Sequence, residues 1–149
     1  MRSRSANWFE CKIRYEKVMD DGLAKKVTES YTVDAMSFSE AEARITEEMK
    51  AYMSGSFTVE DIKKAPYKEI FFSDADTADK WYKAKLAFIT LDENTEKEKR
   101  SNVTYLVQAG SLSEAMKNID EVMGGTMIDY VQCALLETSI MDVFEHKAS

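Results

Sequence analysis

The chain has 149 residues, 44% of them apolar and 32% charged, with a net charge of −7. That balance belongs to a folded, water-soluble protein, and its acidic sign argues against charge-driven affinity for nucleic acid or an anionic membrane. No apolar stretch approaches a bilayer span, and basic Met1–Ser5 runs into Trp8, Glu10 and Lys12 rather than an apolar signal core.

In chain order, Phe9, Cys11, Ile13 and Tyr15 alternate with Trp8, Glu10, Lys12 and Arg14. Period-two alternation predicts a strand with one buried face. Asp20-Asp21-Gly22 is a hairpin signal, and a second strand is expected over 27–35. Ser37-Phe38-Ser39-Glu40 reads as a capping box: the serine oxygen accepts a free backbone N–H, and the glutamate reaches back to the cap residue's N–H. Ala41, Ile45, Met49 and Tyr52 continue it as an apolar helical stripe that Gly55 ends. A third strand is expected over 57–64, with Pro66 just beyond it; the tail Tyr67–Phe72 reads as a short strand or a helical turn.

The same series then recurs. Tyr82, Ala84, Leu86 and Phe88 oppose Trp81, Lys83, Lys85 and Ala87, with a long polar hairpin loop over 92–100 and a second strand over 103–109. Ser111-Leu112-Ser113-Glu114 is the second capping box, and Ala115, Ile119, Val122 and Met123 form the second stripe, stopped by Gly124-Gly125. The third strand, 127–137, is mostly apolar, so it is expected to be covered on both faces; Ile140–Phe144 is the second undecided tail.

The matches keep their order across both halves. Residues 35–49 and 109–123 share Ala, Ser, Ser, Glu, Ala, Ile, Glu and Met in step, and Tyr31 and Val33 match Tyr105 and Val107. Trp8-Phe9 matches Trp81-Tyr82 one residue out of step, so the second copy carries one extra residue between its first two strands. The chain is thus predicted to be α+β, a tandem duplication of a ββαβ unit: mainly antiparallel sheet, one helix per repeat on one face, strand one between strands two and three. Residues 1–72 form the first repeat, 73–79 a linker and 80–149 the second, as two domains or as one pseudo-two-fold domain.

Candidate chemistry is sparse. One histidine, His146, and two distant cysteines cannot build an ordinary zinc site, and no phosphate loop or nucleophile elbow is present. No cofactor, metal or catalytic residue is expected, although carboxylates paired only in space would leave a hydrolase open. Cys11 and Cys133 lie in apolar surroundings and are expected as buried free thiols in a reducing compartment, the cytoplasm. The informative set is the outward face of the two first strands: Trp8, Lys12 and Arg14, with Trp81, Lys83 and Lys85. An open sheet with aromatics and cations can stack bases and meet phosphates; equally, exposed Trp and Arg anchor protein interfaces.

Trp8-Phe9-Glu10-Cys11-Lys12, Tyr31-Thr32-Val33-Asp34-Ala35, Ser39-Glu40-Ala41 and Ile62-Lys63-Lys64-Ala65-Pro66 carry a resemblance over nearly the whole chain. They resemble a family of uncharacterised small proteins from gut bacteria and their phages or mobile elements, a domain of unknown function. The resemblance implies no activity, cofactor or site; it implies a phage or mobile-element setting. The expectation is a non-catalytic binding or assembly protein acting through protein contacts, with a protein partner or as a homo-oligomer and away from membranes. The alternative is a single-stranded nucleic-acid-binding protein.

Overall fold

The computed structural model describes residues 1–146. The elements run β1 (Arg2–Ser5), β2 (Trp8–Val18), β3 (Ala24–Asp34), α1 (Phe38–Tyr52), β4 (Phe57–Lys64), β5 (Glu69–Phe72), β6 (Lys80–Leu91), β7 (Glu98–Ala109), α2 (Leu112–Gly124), β8 (Asp129–Glu137) and β9 (Ile140–Phe144). The fold is α+β, and the series strand, strand, helix, strand occurs twice. Among the described residues no helix is long and apolar enough to cross a membrane.

Each repeat builds an antiparallel trio in the expected order. β2 lies between β3 and β4, and β6 between β7 and β8. Trp8 sits opposite Asp34 and Trp81 opposite Gln108, which puts the extra residue in the second hairpin. The two trios also share a bulge: Glu60 is the supernumerary residue on β4, and Cys133 is its counterpart on β8. The polar loop expected over 92–100 is shorter, because the ladder continues through Glu98, Lys99 and Arg100; backbone pairing does not depend on apolar side chains.

Both helices start as their sequences demand. Ser37 Oγ accepts the Glu40 N–H at 3.1 Å, and Ser111 Oγ accepts that of Glu114 at 3.2 Å. The glutamates reach one residue further back than expected, to the N–H of Met36 (3.1 Å) and of Gly110 (3.0 Å). Ala41, Ile45 and Met49 then bury against Phe9, Cys11, Ile13, Tyr31 and Val33. Ala115, Ile119 and Met123 bury against Tyr82, Ala84, Leu86, Tyr105 and Val107. Each core is one helix face on one sheet face, which is why period 3.6 and period 2 were both visible in the sequence.

The undecided tails are strands, and they are exchanged. β5, the tail of the first repeat, pairs parallel with β7 of the second; β9, the tail of the second repeat, pairs parallel with β3 of the first. β1, which the sequence did not announce, adds antiparallel to β5. The sheets therefore read β1-β5-β7-β6-β8 and β4-β2-β3-β9. The compact units are accordingly discontinuous in sequence. One joins Met1–Ser5 to Pro66–Thr138; the other joins Ala6–Ala65 to the chain from Ser139 onward. Residues 73–79, expected as a linker, pack within the first of these: Ala78 is buried, and a Cβ on Gly110 would lie 2.4 Å from the Thr77 carbonyl oxygen.

A matching clamp holds each exchanged strand. The last side chain of β3, Asp34, accepts the N–H of His146 just past β9 at 2.7 Å. At the same place on β7, Gln108 Oε1 accepts the N–H of Ser73, just past β5, at 3.0 Å. The helix closes each clamp: Arg44 donates to the Asp34 carboxylate and carbonyl, and Asn118 donates to the Gln108 carbonyl at 3.0 Å. One clamp is ionic and the other neutral, yet they do the same work. Asp34→Ala, which leaves the largely buried Arg44 guanidinium only the residue 34 carbonyl and Glu48 and leaves the His146 N–H without its acceptor, should therefore cost about 2–4 kcal/mol in urea unfolding. The double variant Asp34→Gln/Arg44→Asn, which copies the neutral clamp, should cost clearly less than the sum of its singles.

Candidate functional site

The outward faces of β2 and β6 are not the open aromatic platforms that alternation suggested. Trp8 is 1% exposed and Trp81 4% exposed, the latter edge-on to Phe72 at 5.7 Å. An indole buries on the order of 200 Å² of largely apolar surface, so the fold takes both rings inside and leaves neither face for a base. The cations divide. Lys12, Arg14 and Lys85 are exposed, and Arg14 lies 3.7 Å from Glu60. Lys83 is half-buried, its ammonium 5.9 Å from the centre of the Tyr67 ring. Lys12 and Arg14 share one unit and Lys83 and Lys85 the other.

Two other features stand out, and the repeat makes both legible because one copy serves as control for the other. The first is an edge. Among the described residues no strand pairs with the outer edges of β4 and β8. β4 presents Glu60, Asp61, Lys63 and Lys64 there, a charged edge that resists pairing. The register equivalents on β8 are Cys133, Ala134, Leu136 and Glu137. Leu136 is 67% exposed, Val131 and Cys133 are exposed too, and Lys80 holds Glu137 at 3.2 Å. Two expectations are corrected here. β8 is apolar but is not covered on both faces, and Cys133 is not buried; it occupies the bulge of an edge strand.

The second is a cleft of about 380 Å³ in the unit of the first repeat, lined by Tyr15, Glu16, Lys17, Glu29, Tyr31, Tyr52, the turn Met53–Ser56 and Met141. The Tyr15 hydroxyl donates to Glu29 Oε1. Tyr52, at the end of α1, stands edge-on to Tyr31 at 6.3 Å, and Tyr31 stacks on Phe144 at 5.6 Å. The Glu29 hydrogen bond pushes the Tyr15 hydroxyl up to about 12. Burial, then the Glu29 charge, pushes Tyr31 up as well. In the second repeat Phe88 stands for Tyr15 and Val103 for Glu29, and both pack against that core. The mismatch was present in the sequence, but only the shared register makes it a comparison of like with like.

The family described as "Domain of unknown function (DUF4494)" matches residues 7–146. The chain belongs to this family. No curated protein and no solved structure matches it. The DUF4494 span takes in both repeats and the exchanged β9 as one piece, and it starts after β1.

Two measurements follow from these surroundings. Cys133 is exposed, whereas Cys11 is buried and its thiol is pushed up to about 12 by burial and then by Glu10 and Asp61. A thiol reagent at neutral pH should therefore titrate one group in the native protein and two in denaturant, and Cys133→Ser should abolish the native reaction. For the cleft, raised tyrosine values mean that the neutral hydroxyls belong to the folded state. Their stabilisation is complete below the ordinary tyrosine range and is lost as pH climbs through it towards 12. Tyr31, Tyr105 and Tyr130 are pushed up as well, so ultraviolet titration should show several late phenolate steps, and Tyr15→Phe should reduce their amplitude by one tyrosine.

Proposed function

We propose that this DUF4494 protein is a non-catalytic binding and assembly module that acts through protein contacts, and that its first partner is a second copy of itself, joined through the edge of β8. The observation that carries this reading is the contrast between equivalent edges. The fold tolerates charges at Glu60, Asp61 and Lys63 of β4, so the uncharged Cys133, Ala134 and Leu136 of β8 are not a folding requirement. The stretch 131–136 of β8 carries no charge between Asp129 and Glu137, and an uncharged edge stretch is a template for another strand; two identical edges meet antiparallel across a two-fold axis, the symmetry most homodimers use. This chain already completes its sheets by adding strands at edges, as β1 does on β5 and β9 on β3. The unpaired thiols of Cys11 and Cys133 support a reducing compartment, the cytoplasm. A single-stranded nucleic-acid reading would rest on exposed Lys12, Arg14 and Lys85 alone, since both indoles are buried.

Light scattering over a concentration series should give the mass of a dimer, and a bis-maleimide should link two chains through Cys133. Ala134→Lys/Leu136→Lys, which gives the β8 edge the kind of charge that β4 carries, should return the protein to a monomer with an unchanged circular dichroism spectrum. A wild-type monomer throughout the series, with no cross-link, would overturn the proposal.

A further inference from the structure

The cleft beside Tyr31 is independent of the β8 edge, and its chemistry is specific enough to name a ligand class. Three of its lining residues are tyrosines, and its charges are two acids, Glu16 and Glu29, against one base, Lys17; Glu29 holds the Tyr15 hydroxyl. Packing alone does not require this composition. At the same positions the second repeat folds with Phe88 and Val103, which fill the space between β6, β7 and α2 with hydrocarbon. The first repeat instead places a hydroxyl–carboxylate pair there, extends its helix to Tyr52 and leaves that ring 65% exposed beside Tyr31. A large aromatic left open at the mouth of a cleft, next to a carboxylate that already orients one hydroxyl, is a surface on which something stacks.

The sign of the charge decides what. Phenol rings present negative faces and attract cations within about 6 Å of the ring centre. Glu29 adds a full negative charge beside them, and the hydroxyls of Tyr15 and Tyr31 resist ionisation in its field. An anionic or phosphate-bearing ligand would face that charge with only Lys17 to offset it. We infer that the cleft between Tyr15, Glu29, Tyr31 and Tyr52 binds an organic cation, an ammonium head that packs its alkyl groups on the rings and its charge towards Glu29. Lysine side chains and small free amines share this chemistry, and the volume of about 380 Å³ accommodates either.

The test is an amide chemical-shift titration of the whole chain with choline, with a blocked lysine amide, and with 3,3-dimethyl-1-butanol, the uncharged carbon isostere of choline. Sodium chloride at matched ionic strength serves as the blank. The expected result is saturable shifts at Ser54, Gly55, Ser56 and Glu29 with choline or the lysine amide. The neutral isostere should bind about tenfold more weakly, the ratio that two cation–ring contacts supply. The tighter of the two cations identifies the source as a free amine or a lysine side chain. Glu29→Gln, which keeps a hydrogen-bond acceptor for Tyr15, and Tyr52→Ala, which also gives up edge-on contacts to Tyr31 and Phe144, should each weaken binding several-fold while the amide shifts away from the cleft stay those of the folded protein. Shifts that match the salt blank, or equal binding of the neutral isostere, would overturn the assignment. The cation result is independent of dimerisation, because the monomeric Ala134→Lys/Leu136→Lys variant retains the cleft and is titrated in parallel.

Discussion

The parallel pairing of each repeat's last strand with the other repeat's sheet is the constraint on which the rest depends. β3 would be an edge without β9, and β7 would be one without β5. β5 and β9 bring more than backbone pairing. Phe144 stacks on Tyr31, and Phe71 stacks on Tyr105 at 4.8 Å, so the exchanged strand finishes the core of the sheet that it joins. A repeat of this size buries a smaller share of its surface than a larger domain would, and lending a strand each way makes neither repeat complete without the other. The family span, which covers both repeats through β9, is what such mutual dependence requires.

Exchange also explains why the clamps recur while their chemistry differs. The chain just past each exchanged strand needs a backbone N–H satisfied, and Asp34 at the end of β3 or Gln108 one residue before the end of β7 is the group in reach. Asp34 with Arg44 and Gln108 with Asn118 are two solutions to one geometric demand. The ionic version is not needed for a larger core; it satisfies the same donors with charge, and the cost of desolvating that charge is why its loss on one side should hurt more than its joint replacement.

Once the shared scaffold is subtracted, the β8 edge and the tyrosine cleft are two places where the repeats differ. Both are departures from a demonstrated alternative within the same chain. β4 shows that the edge position tolerates charge, and Phe88 with Val103 shows that the cleft position tolerates hydrocarbon. Self-association through β8 and capture of an ammonium group beside Tyr31 are compatible, since they use different units and different forces: backbone pairing in one, ring electrostatics in the other.

The sequence by itself determined the duplication, the α+β class, both capping boxes, the apolar faces of β2 and β6 and the extra residue of the second hairpin. These are local: alternation, helical period and cap chemistry are set by neighbours a few positions apart. It did not determine the fate of Trp8 and Trp81, because alternation says which side of a strand a ring takes but not whether that side meets water. Nor did it place the tails. Glu69–Phe72 and Ile140–Phe144 are too short for a period to declare itself, and their partners, Tyr105–Val107 and Ser30–Val33, are chosen by which edge is vacant in the folded chain. The same holds for β8, whose apolar run is written identically for a buried strand and for an exposed edge. Only tertiary structure decides between them, because burial is a property of what else is nearby.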